Sequence, residues 1–280
     1  MIPPQDILIC HNPKAQVAPL VLDSPHSGTV YPADFGYACP FSWLRETEDG
    51  FIDELFGAAP AHGVPLLTAQ FPRCYIDVNR AVDDIDPLLL GEPWQGSNPT
   101  ARSAMGVGLI RRLHKQASPQ PLYDRLLTRD EIQRRIDGYY TPYHLTLEEL
   151  LMRTYADFGA AYHLNCHSMP GSAGPDMVLG DRDGTTCTPA LTRFVAQQLK
   201  GMGYRVAINR PYKGVELVRR FGRPAAGWHS LQIELRRGLY MNEVTREKGN
   251  GFSRLQANMT RLIDDLVDFT RKNSIDLAAD

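Results

Sequence analysis

The sequence lacks the features of several common protein classes. In its 280 residues, no apolar run approaches the roughly 18 residues of a membrane-spanning helix. The 30 Lys and Arg residues are balanced by 32 Asp and Glu residues, and the resulting net charge of -2 does not favour a nucleic-acid binder. The opening residues MIPPQDILIC carry neither the basic nor the long apolar segment of a signal peptide. We therefore expect a cytoplasmic protein that binds neither membrane nor nucleic acid.

Cysteine is also scarce. The five cysteines are odd in number and form no Cys-x-x-Cys pair, which disfavours both a disulfide framework and a structural zinc knuckle. Reduced thiols are expected. Cys166, between Asn165 and His167, is a conceivable nucleophile, but the preferred interpretation is a buried small apolar residue.

Hydrophobic residues make up 43% of the chain, enough for a sizeable core. Short apolar runs alternate with helical patterns, which predicts a layered α/β fold that we take as one domain over residues 1–280. Strands are predicted near residues 20–22, 65–67, 75–78, 160–167, 177–179, 204–208 and 231–235. Helices are predicted at 43–56, after a capping box at Thr128, near 147–152, and at 189–201 and 253–271.

Residues 92–127 interrupt this pattern. The stretch GEPWQGSNPTARSAMGVG is rich in Gly, Pro and Ser and has weak periodicity. A long irregular segment in a compact domain is often a functional loop or a lid. A simple surface insertion is an equal alternative.

Two histidines follow apolar runs, where sites form in open α/β sheets. His26 lies in the turn SPHSG, directly after the predicted strand 20–22. His167 ends the predicted strand 160–167, whose alternation places it on one face with His163 and Asn165. His167 is the better candidate ligand, because the deeper His163 is more typical of a hydrogen-bonded core histidine.

Carboxylates complete a candidate site. Two histidines and one carboxylate form a three-ligand zinc site with an open fourth position, and either Glu48 or Asp49 could supply the carboxylate. Glu234 lies on the predicted strand 231–235, opposite its apolar residues. Such a glutamate is either a general base near a metal or a member of a structural ion pair.

Two further segments are candidate anion binders. Asn79 and Arg80 follow the predicted strand 75–78, and an Arg presents a planar fork that fits a carboxylate. Arg210 and Lys213 follow the predicted strand 204–208. Each segment alone is a weak indication, since a surface Arg after a strand is common.

Together, these segments resemble the N-formylglutamate amidohydrolase family over roughly residues 20–245. The matching pieces, in chain order, are SPHSG at 24–28, TED at 47–49, DVNR at 77–80, PYH at 142–144, NCHS at 165–168, NRPYKG at 209–214, HSLQIEL at 229–235 and LYMNE at 239–243. No single piece is specific, but the ordered set is.

The resemblance carries implications for the fold and the site. The family is similar to zinc carboxypeptidases and aspartoacylase-like deacylases, which implies a three-layer α/β/α fold with a mixed central sheet. The resemblance implies one zinc ion, with cobalt or manganese as alternatives, and these residue roles: metal ligands His26, Asp49 and His167; substrate binding by Asn79 and Arg80, with Arg210 and Lys213 as further candidates; and Glu234 as the base. Asn165 replaces the aspartate of an Asp-x-His-Ser pattern, so we expect it to orient His167 less strongly than a carboxylate would.

The implied activity is the hydrolysis of N-formyl-L-glutamate to formate and L-glutamate, at the end of histidine degradation. One alternative is a zinc amidase or carboxypeptidase-like hydrolase that acts on another N-acylated acidic compound or on a peptide. Another is a non-catalytic protein that binds a small acidic ligand. The oligomeric state is left open.

Overall fold

A mixed seven-stranded sheet forms the centre of the fold in a computed structural model, which describes residues 7–114 and 119–277. The strands are β1 (Leu8–His11), β2 (Leu20–Ser24), β3 (Leu66–Ala69), β4 (Ala161–Met169), β5 (Met177–Gly180), β6 (Val206–Ile208) and β7 (Trp228–Arg236). Their order is β1-β3-β2-β4-β7-β5-β6. β3, β2, β4 and β7 run parallel, whereas β5 is antiparallel to β7 and parallel to β6. The predicted mixed α/β sheet is confirmed.

Eight α-helices accompany the sheet in the described part of the chain. They are α1 (Phe41–Arg45), α2 (Ile52–Leu55), α3 (Ala101–Ala104), α4 (Arg129–Arg135), α5 (Thr141–Phe158), α6 (Pro189–Gly201), α7 (Glu216–Phe221) and α8 (Phe252–Leu277). A π-helical turn at Ile136–Tyr140 joins α4 to α5. Over the same described residues, no helix is long and apolar enough to cross a bilayer.

The chain folds into two compact units. The first is built from the described parts of Met1–Ile9, His26–Glu48 and Ala69–Thr146. The second is built from Cys10–Pro25, Asp49–Thr68 and the described part of Leu147–Asp280. The expectation that residues 1–280 act as one metallohydrolase domain stays a prediction.

In the second unit, strand alternation separates an apolar face from a polar face. Leu164 and Cys166 of β4 join Leu231 and Ile233 of β7 in one buried cluster, to which α2, α6 and α8 also contribute. Burial raises the pKa of the Cys166 thiol well above its usual value, as expected of an unreactive core cysteine. α7 packs on the opposite, polar face of β4 and β7, where Phe221 meets His163 edge-on. Helices therefore cover both faces.

In the first unit, the predicted strand at 75–78 is wrong, because these residues form turns. The Asp77 carboxylate accepts the backbone N–H of Asn79, and the Asp77 carbonyl accepts that of Arg80. Such local bonds satisfy the backbone groups that a strand ladder would need. The segment 75–80 is therefore a buried turn.

Three side chains of the helical segment 129–144 contact backbone carbonyl groups of this turn. Arg135 donates to the carbonyl of Tyr75, Tyr140 donates to that of Arg80, and His144 lies 2.9 Å from that of Val78. Residues five apart in an α-helix point about 140° away from each other. The π-helical turn, with its i to i+5 bonds, instead brings the Arg135 and Tyr140 side chains to the same side.

The predicted continuous helix at 43–56 is also wrong. α1 ends at Arg45 and α2 begins at Ile52, and between them Phe51 adopts a left-handed φ of 63°. The Thr47 hydroxyl donates back to the carbonyl of Leu44, which competes with continued helix. Asp49 therefore lies in a turn between two short helices, not at a helix start.

Other local predictions are confirmed. Thr128 and Glu131 form the predicted capping box of α4, and the helices predicted at 189–201 and 253–271 coincide with α6 and lie within α8. Residues 92–114 and 119–127 are irregular apart from α3 and isolated bridges. The rest of the predicted loop lies outside the described residues, and a lid function stays a prediction.

Candidate metal centre

His26, Asp49 and His167 come together in the structure. Each offers one ligand atom, these atoms all lie within 4.8 Å of one another, and all three side chains are buried. This is the ligand set expected from the sequence. The chemistry of each donor, taken separately, decides whether a metal ion fits.

His167 is oriented by an amide on its own strand. Its Nε2 lies 2.8 Å from Oδ1 of Asn165, while Nδ2 of Asn165 donates to the Asp23 carboxylate at 2.7 Å. A carboxylate only accepts, so the amide oxygen of Asn165 must face His167, and Nε2 of His167 must carry a hydrogen. Nδ1 of His167 therefore faces Oδ2 of Asp49 at 3.0 Å. In a neutral ring this Nδ1 is an acceptor that faces the carboxylate oxygen of Asp49, and a cation between the two acceptors, either a proton or a metal ion, joins them.

His26 is oriented in the same way within the first unit. Its Nε2 lies 2.8 Å from Oδ1 of Asp77, which can only accept, so Nδ1 is the ring nitrogen left to ligate a metal. Burial alone would raise the pKa of Asp77, but Arg73, Arg80 and His26 hold it well below its usual value. Gly28 is required in this turn, since a Cβ would lie 2.3 Å from the carbonyl carbon of Gln70.

Asp49 is anchored by two donors. Ser168 Oγ donates to its Oδ1 at 3.0 Å, and Nη2 of the buried Arg237 donates to the same oxygen at 3.1 Å. Nε of Arg237 also donates to Ser168 Oγ at 2.9 Å. Oδ2 of Asp49 remains directed at His167. Both donors bind Oδ1, which makes Oδ2 the candidate ligand atom.

Glu48 has different partners from Asp49. It accepts a hydrogen bond of 2.7 Å from the Tyr31 hydroxyl and longer contacts of 3.4 Å from Nε of Arg45. Burial, and next the neighbouring Cys74, raise the pKa of Tyr31, whose hydroxyl therefore stays a donor to Glu48. This geometry favours Asp49 over Glu48 as the metal ligand.

Glu234 is placed beside His167 by strand register. The two residues are direct partners in the parallel β4–β7 pair, so their side chains point to the same face of the sheet. Gln232 Nε2 donates to Oε1 of Glu234 at 2.9 Å, and the glutamate is 8% exposed. Its carboxylate is therefore a neighbour of a candidate ligand while it retains slight access to solvent.

Arg80 is buried and makes several contacts within the first unit. Its Nε donates to the carbonyl of Val107 at 3.1 Å, its Nη1 donates to that of Asn79 at 2.8 Å, and its Nη2 lies 3.8 Å from Asp77. Burial lowers the pKa of Arg80 to about 10; Asp77 opposes the shift, and the charges of Arg73, Arg102 and Arg111 add to it. The substrate-binding role of Asn79 and Arg80 stays a prediction.

Arg102 and Arg111 both contact Val107, whose carbonyl accepts Nε of Arg80. The Val107 N–H donates to the carbonyl of Arg102, and Val107 forms an antiparallel bridge with Arg111. The charges of Arg73, Arg102 and Arg111 all act on Arg80, and these four residues are called the arginine cluster below.

Arg210 and Lys213 follow β6, which lies two strands from the β7 residue Glu234 in the sheet order. Register through β5 sets Ile208 level with Ile233, and because β6 runs antiparallel to β7, the loop continues from there towards the start of β7. Arg210 is exposed, and Nζ of Lys213 lies 3.0 Å from the Asp183 carboxylate at the surface. Their proposed contact with substrate stays a prediction.

Three contributors were not identified as such in the sequence: Asp77, Arg237 and Asp23. Asp77 lies inside the matched segment DVNR and Arg237 lies two residues after HSLQIEL, but nothing local distinguishes an anchoring residue from a surface charge. Asp23 is signalled only by its rarity, as an acidic residue at the end of a buried apolar run.

Comparison with known proteins gives a consistent result. Residues 18–241 match the N-formylglutamate amidohydrolase family. The chain is 30% identical over 235 residues to an N-formylglutamate deformylase of Pseudomonas aeruginosa, covering 80% of this chain and 83% of that protein. It is 29% identical over 240 residues to the Pseudomonas putida protein of the same name, covering 81% and 83%.

Solved structures agree. The crystal structure of N-formylglutamate amidohydrolase from Ralstonia eutropha JMP134 superposes with a TM-score of 0.92 at 47% identity, covering 96% of this chain and 99% of that one. The Agrobacterium tumefaciens gene product Atu2144, at 17% identity and a TM-score of 0.61 over 94% and 96% of the two chains, shares the fold. The extent of these matches shows that the chain belongs to the N-formylglutamate amidohydrolase family.

Proposed function

We propose that the protein hydrolyses N-formyl-L-glutamate to formate and L-glutamate with the help of one divalent metal ion. The observation that carries the proposal is the convergence of His26, Asp49 and His167, with Glu234 in register beside His167. The relatives named N-formylglutamate deformylase support the choice of substrate.

Zinc is the proposed ion, with cobalt or manganese as alternatives. Two imidazole nitrogens and one carboxylate oxygen match the three protein ligands of catalytic zinc sites, which keep a fourth position open. The opposed acceptors of His167 and Asp49 fit an ion held between them. When bound, the ion would supply a Lewis acid for the formyl carbonyl and for the attacking water.

Glu234 is the proposed general base. Its carboxylate would accept a proton from the attacking water and then donate it to the nitrogen of the departing glutamate. The Gln232 amide that donates to Oε1 of Glu234 would hold the carboxylate in place during this transfer. Arg237 has no part in this proton transfer. Its Nη2 donates to Asp49 and so helps to hold a proposed metal ligand.

The arginine cluster is proposed to give the protein its preference for an acidic substrate. The charges of Arg73, Arg102 and Arg111 act on Arg80 together with that of Asp77, and a concentration of positive charge of this kind attracts an anion. Asn79 and Arg80 are the proposed first contacts for a glutamate carboxylate. Arg210 and Lys213 remain candidates for the second carboxylate.

A substrate panel tests this proposal. Purified protein with one equivalent of zinc is assayed with N-formyl-, N-acetyl- and N-succinyl-L-glutamate at equal concentration, and release of L-glutamate is measured. We expect the formyl compound to give the highest kcat/KM. Preference for a larger acyl group would favour the alternative amidase, and binding without any turnover would favour a non-catalytic protein.

The same proposal gives the protein a cellular setting. Hydrolysis of N-formyl-L-glutamate would place it at the end of histidine degradation, in the cytoplasm, with a small acidic molecule as its partner. The oligomeric state remains open.

A further inference from the structure

The polar face of the second unit carries a chain of buried hydrogen bonds that leads to His167. Ser230 Oγ lies 2.8 Å from Nδ1 of His163, and Nε2 of His163 lies 2.9 Å from Oδ1 of Asp23. The same Asp23 oxygen accepts Nδ2 of Asn165 at 2.7 Å. Asn165 then meets His167. Ser230, Asp23 and Asn165 are completely buried.

The direction of every bond in this chain follows from Asp23. Since a carboxylate has no hydrogen to donate, His163 donates through Nε2, and the Nδ1 of the neutral ring accepts from the Ser230 hydroxyl. Asn165 likewise donates to Asp23, so its oxygen faces His167. The donors converge on Asp23 from both sides.

We propose that Asp23 is a positioning residue that sets the tautomer of His167 across two strands through the amide of Asn165. If the amide were reversed, its NH₂ group would face Nε2 of His167. The hydrogen would then favour Nδ1, the atom aimed at Asp49, and that atom could not ligate a metal. Asp23 prevents this reversal, and it replaces from β2 the carboxylate that position 165 lacks. The inference rests on the proposed metal site.

The register of the two strands explains why one acid and one amide occur here. Asp23 and Asn165 are direct partners in the parallel β2–β4 pair. Two buried carboxylates at this separation would repel each other, so only one of the positions can carry the charge. Either of the two positions can therefore carry the carboxylate, provided that the other carries the amide.

A charge swap tests the inference, with zinc affinity as the readout. We expect Asp23→Asn to weaken zinc binding about 10- to 100-fold, the usual range when a group that orients a metal ligand is lost. The double variant Asp23→Asn/Asn165→Asp should bind zinc within about threefold of wild type, since the carboxylate moved to position 165 accepts directly from His167 while the amide moved to position 23 donates to that carboxylate. Affinity is measured by competition with a chromophoric chelator, together with Tm.

A matched control is present in the same unit. Asp181 is another buried aspartate that accepts Nδ2 of an asparagine, Asn209, at 2.7 Å. Asp181→Asn removes the same charge beside the same kind of amide, at the end of β5, which β7 separates from β4. We expect a lower Tm and unchanged zinc affinity.

Four outcomes would overturn the inference: wild-type affinity in Asp23→Asn, a double variant as weak as the single, an equal loss in Asp181→Asn, or ¹⁵N–¹¹³Cd coupling at Nε2 of His167 in the cadmium-loaded wild type. We expect that coupling at Nδ1. If Asp23→Asn does not fold, the double variant and the cadmium spectrum decide. A wild-type protein that binds no zinc would overturn the proposed metal site itself, which is a distinguishable failure.

Discussion

Glu234 separates binding from chemistry more cleanly than any other side chain in the proposed site. Glu234→Gln preserves shape and a partner for Gln232, but the amide cannot accept a proton. We expect turnover to fall by about 10²- to 10⁴-fold while zinc content and KM change little. Steady-state kinetics and metal analysis on one preparation provide the check. If the folded variant loses its zinc, Glu234 is a ligand and not the base.

Arg80 has two competing roles, in substrate binding and in support of the 75–80 turn. Arg80→Lys keeps the charge but cannot reach Val107, Asn79 and Asp77 together, so we expect a lower Tm. If Arg80 also binds the substrate carboxylate, kcat/KM should fall roughly 10- to 200-fold, at about 1.4 kcal/mol per factor of ten, with zinc content unchanged. An unchanged kcat/KM with a lowered Tm would leave only the structural role.

Among the helices, α4 connects stability to the site, because its Arg135 supports the 75–80 turn. The capping glutamate of α4, Glu131, accepts two hydrogen bonds from Arg125, and these hold its pKa at about 2. A lowered folded-state pKa means that this stabilisation is present above the unfolded value of about 4.5 and is lost as the pH falls towards 2.

We therefore expect Glu131→Gln to lower the free energy of unfolding at pH 7 by about 0.2–1 kcal/mol, since Arg125 is exposed. The difference from wild type should begin to shrink below about pH 4.5. Urea unfolding at pH 7, 5 and 3.5 measures both effects. The comparison variant is Glu92→Gln, whose partner Arg129 forms an exposed pair and whose effect should be smaller. A pH-independent difference would refute the ion-pair explanation.

The irregular segment after Leu90 contributes Arg102 and Arg111 to the arginine cluster. We expect Arg111→Gln to raise KM for N-formyl-L-glutamate roughly 3- to 10-fold with little change in kcat, because a lost attractive charge weakens substrate and transition state equally. Arg129→Gln serves as the control, because Arg129 lies just beyond this segment in an exposed ion pair with Glu92. This variant should leave KM unchanged. Equal KM values in all three proteins would assign the segment a structural role only.

For the whole molecule, the proposed ion should bind at about one per chain and couple to stability. Removal by a chelator should abolish activity and lower Tm by about 5–10 °C, as expected for a ligand supplied at 100 times its Kd. His167→Ala should lose both metal and activity, whereas His62→Ala, which affects a surface contact with Asp264, should keep both. Full activity in a metal-free sample would exclude the proposed mechanism.

The sequence alone determined those features that depend on neighbours along the chain. Alternation correctly separated Leu164 and Cys166 from His163, Asn165 and His167, because side chains of any strand alternate between its faces. The capping box at Thr128 was equally readable, since cap and partner are three residues apart. His26, His167 and either Glu48 or Asp49 stood out as ligand-type side chains at the ends of predicted elements, and the family resemblance chose Asp49.

Tertiary structure alone decided which contacts orient those ligands. Asp23 and Asn165 are 142 positions apart, and Arg237 and Asp49 are 188 apart, so no local period can pair them. The same limit explains the two wrong elements. Apolar residues at 75–78 and 43–56 are needed for burial, which periodicity detects, but the buried Asp77 turn and the break before Phe51 depend on bonds made by individual side chains. Hydrophobic pattern reports how much of a segment is buried, whereas hydrogen bonding decides the backbone conformation in which it is buried.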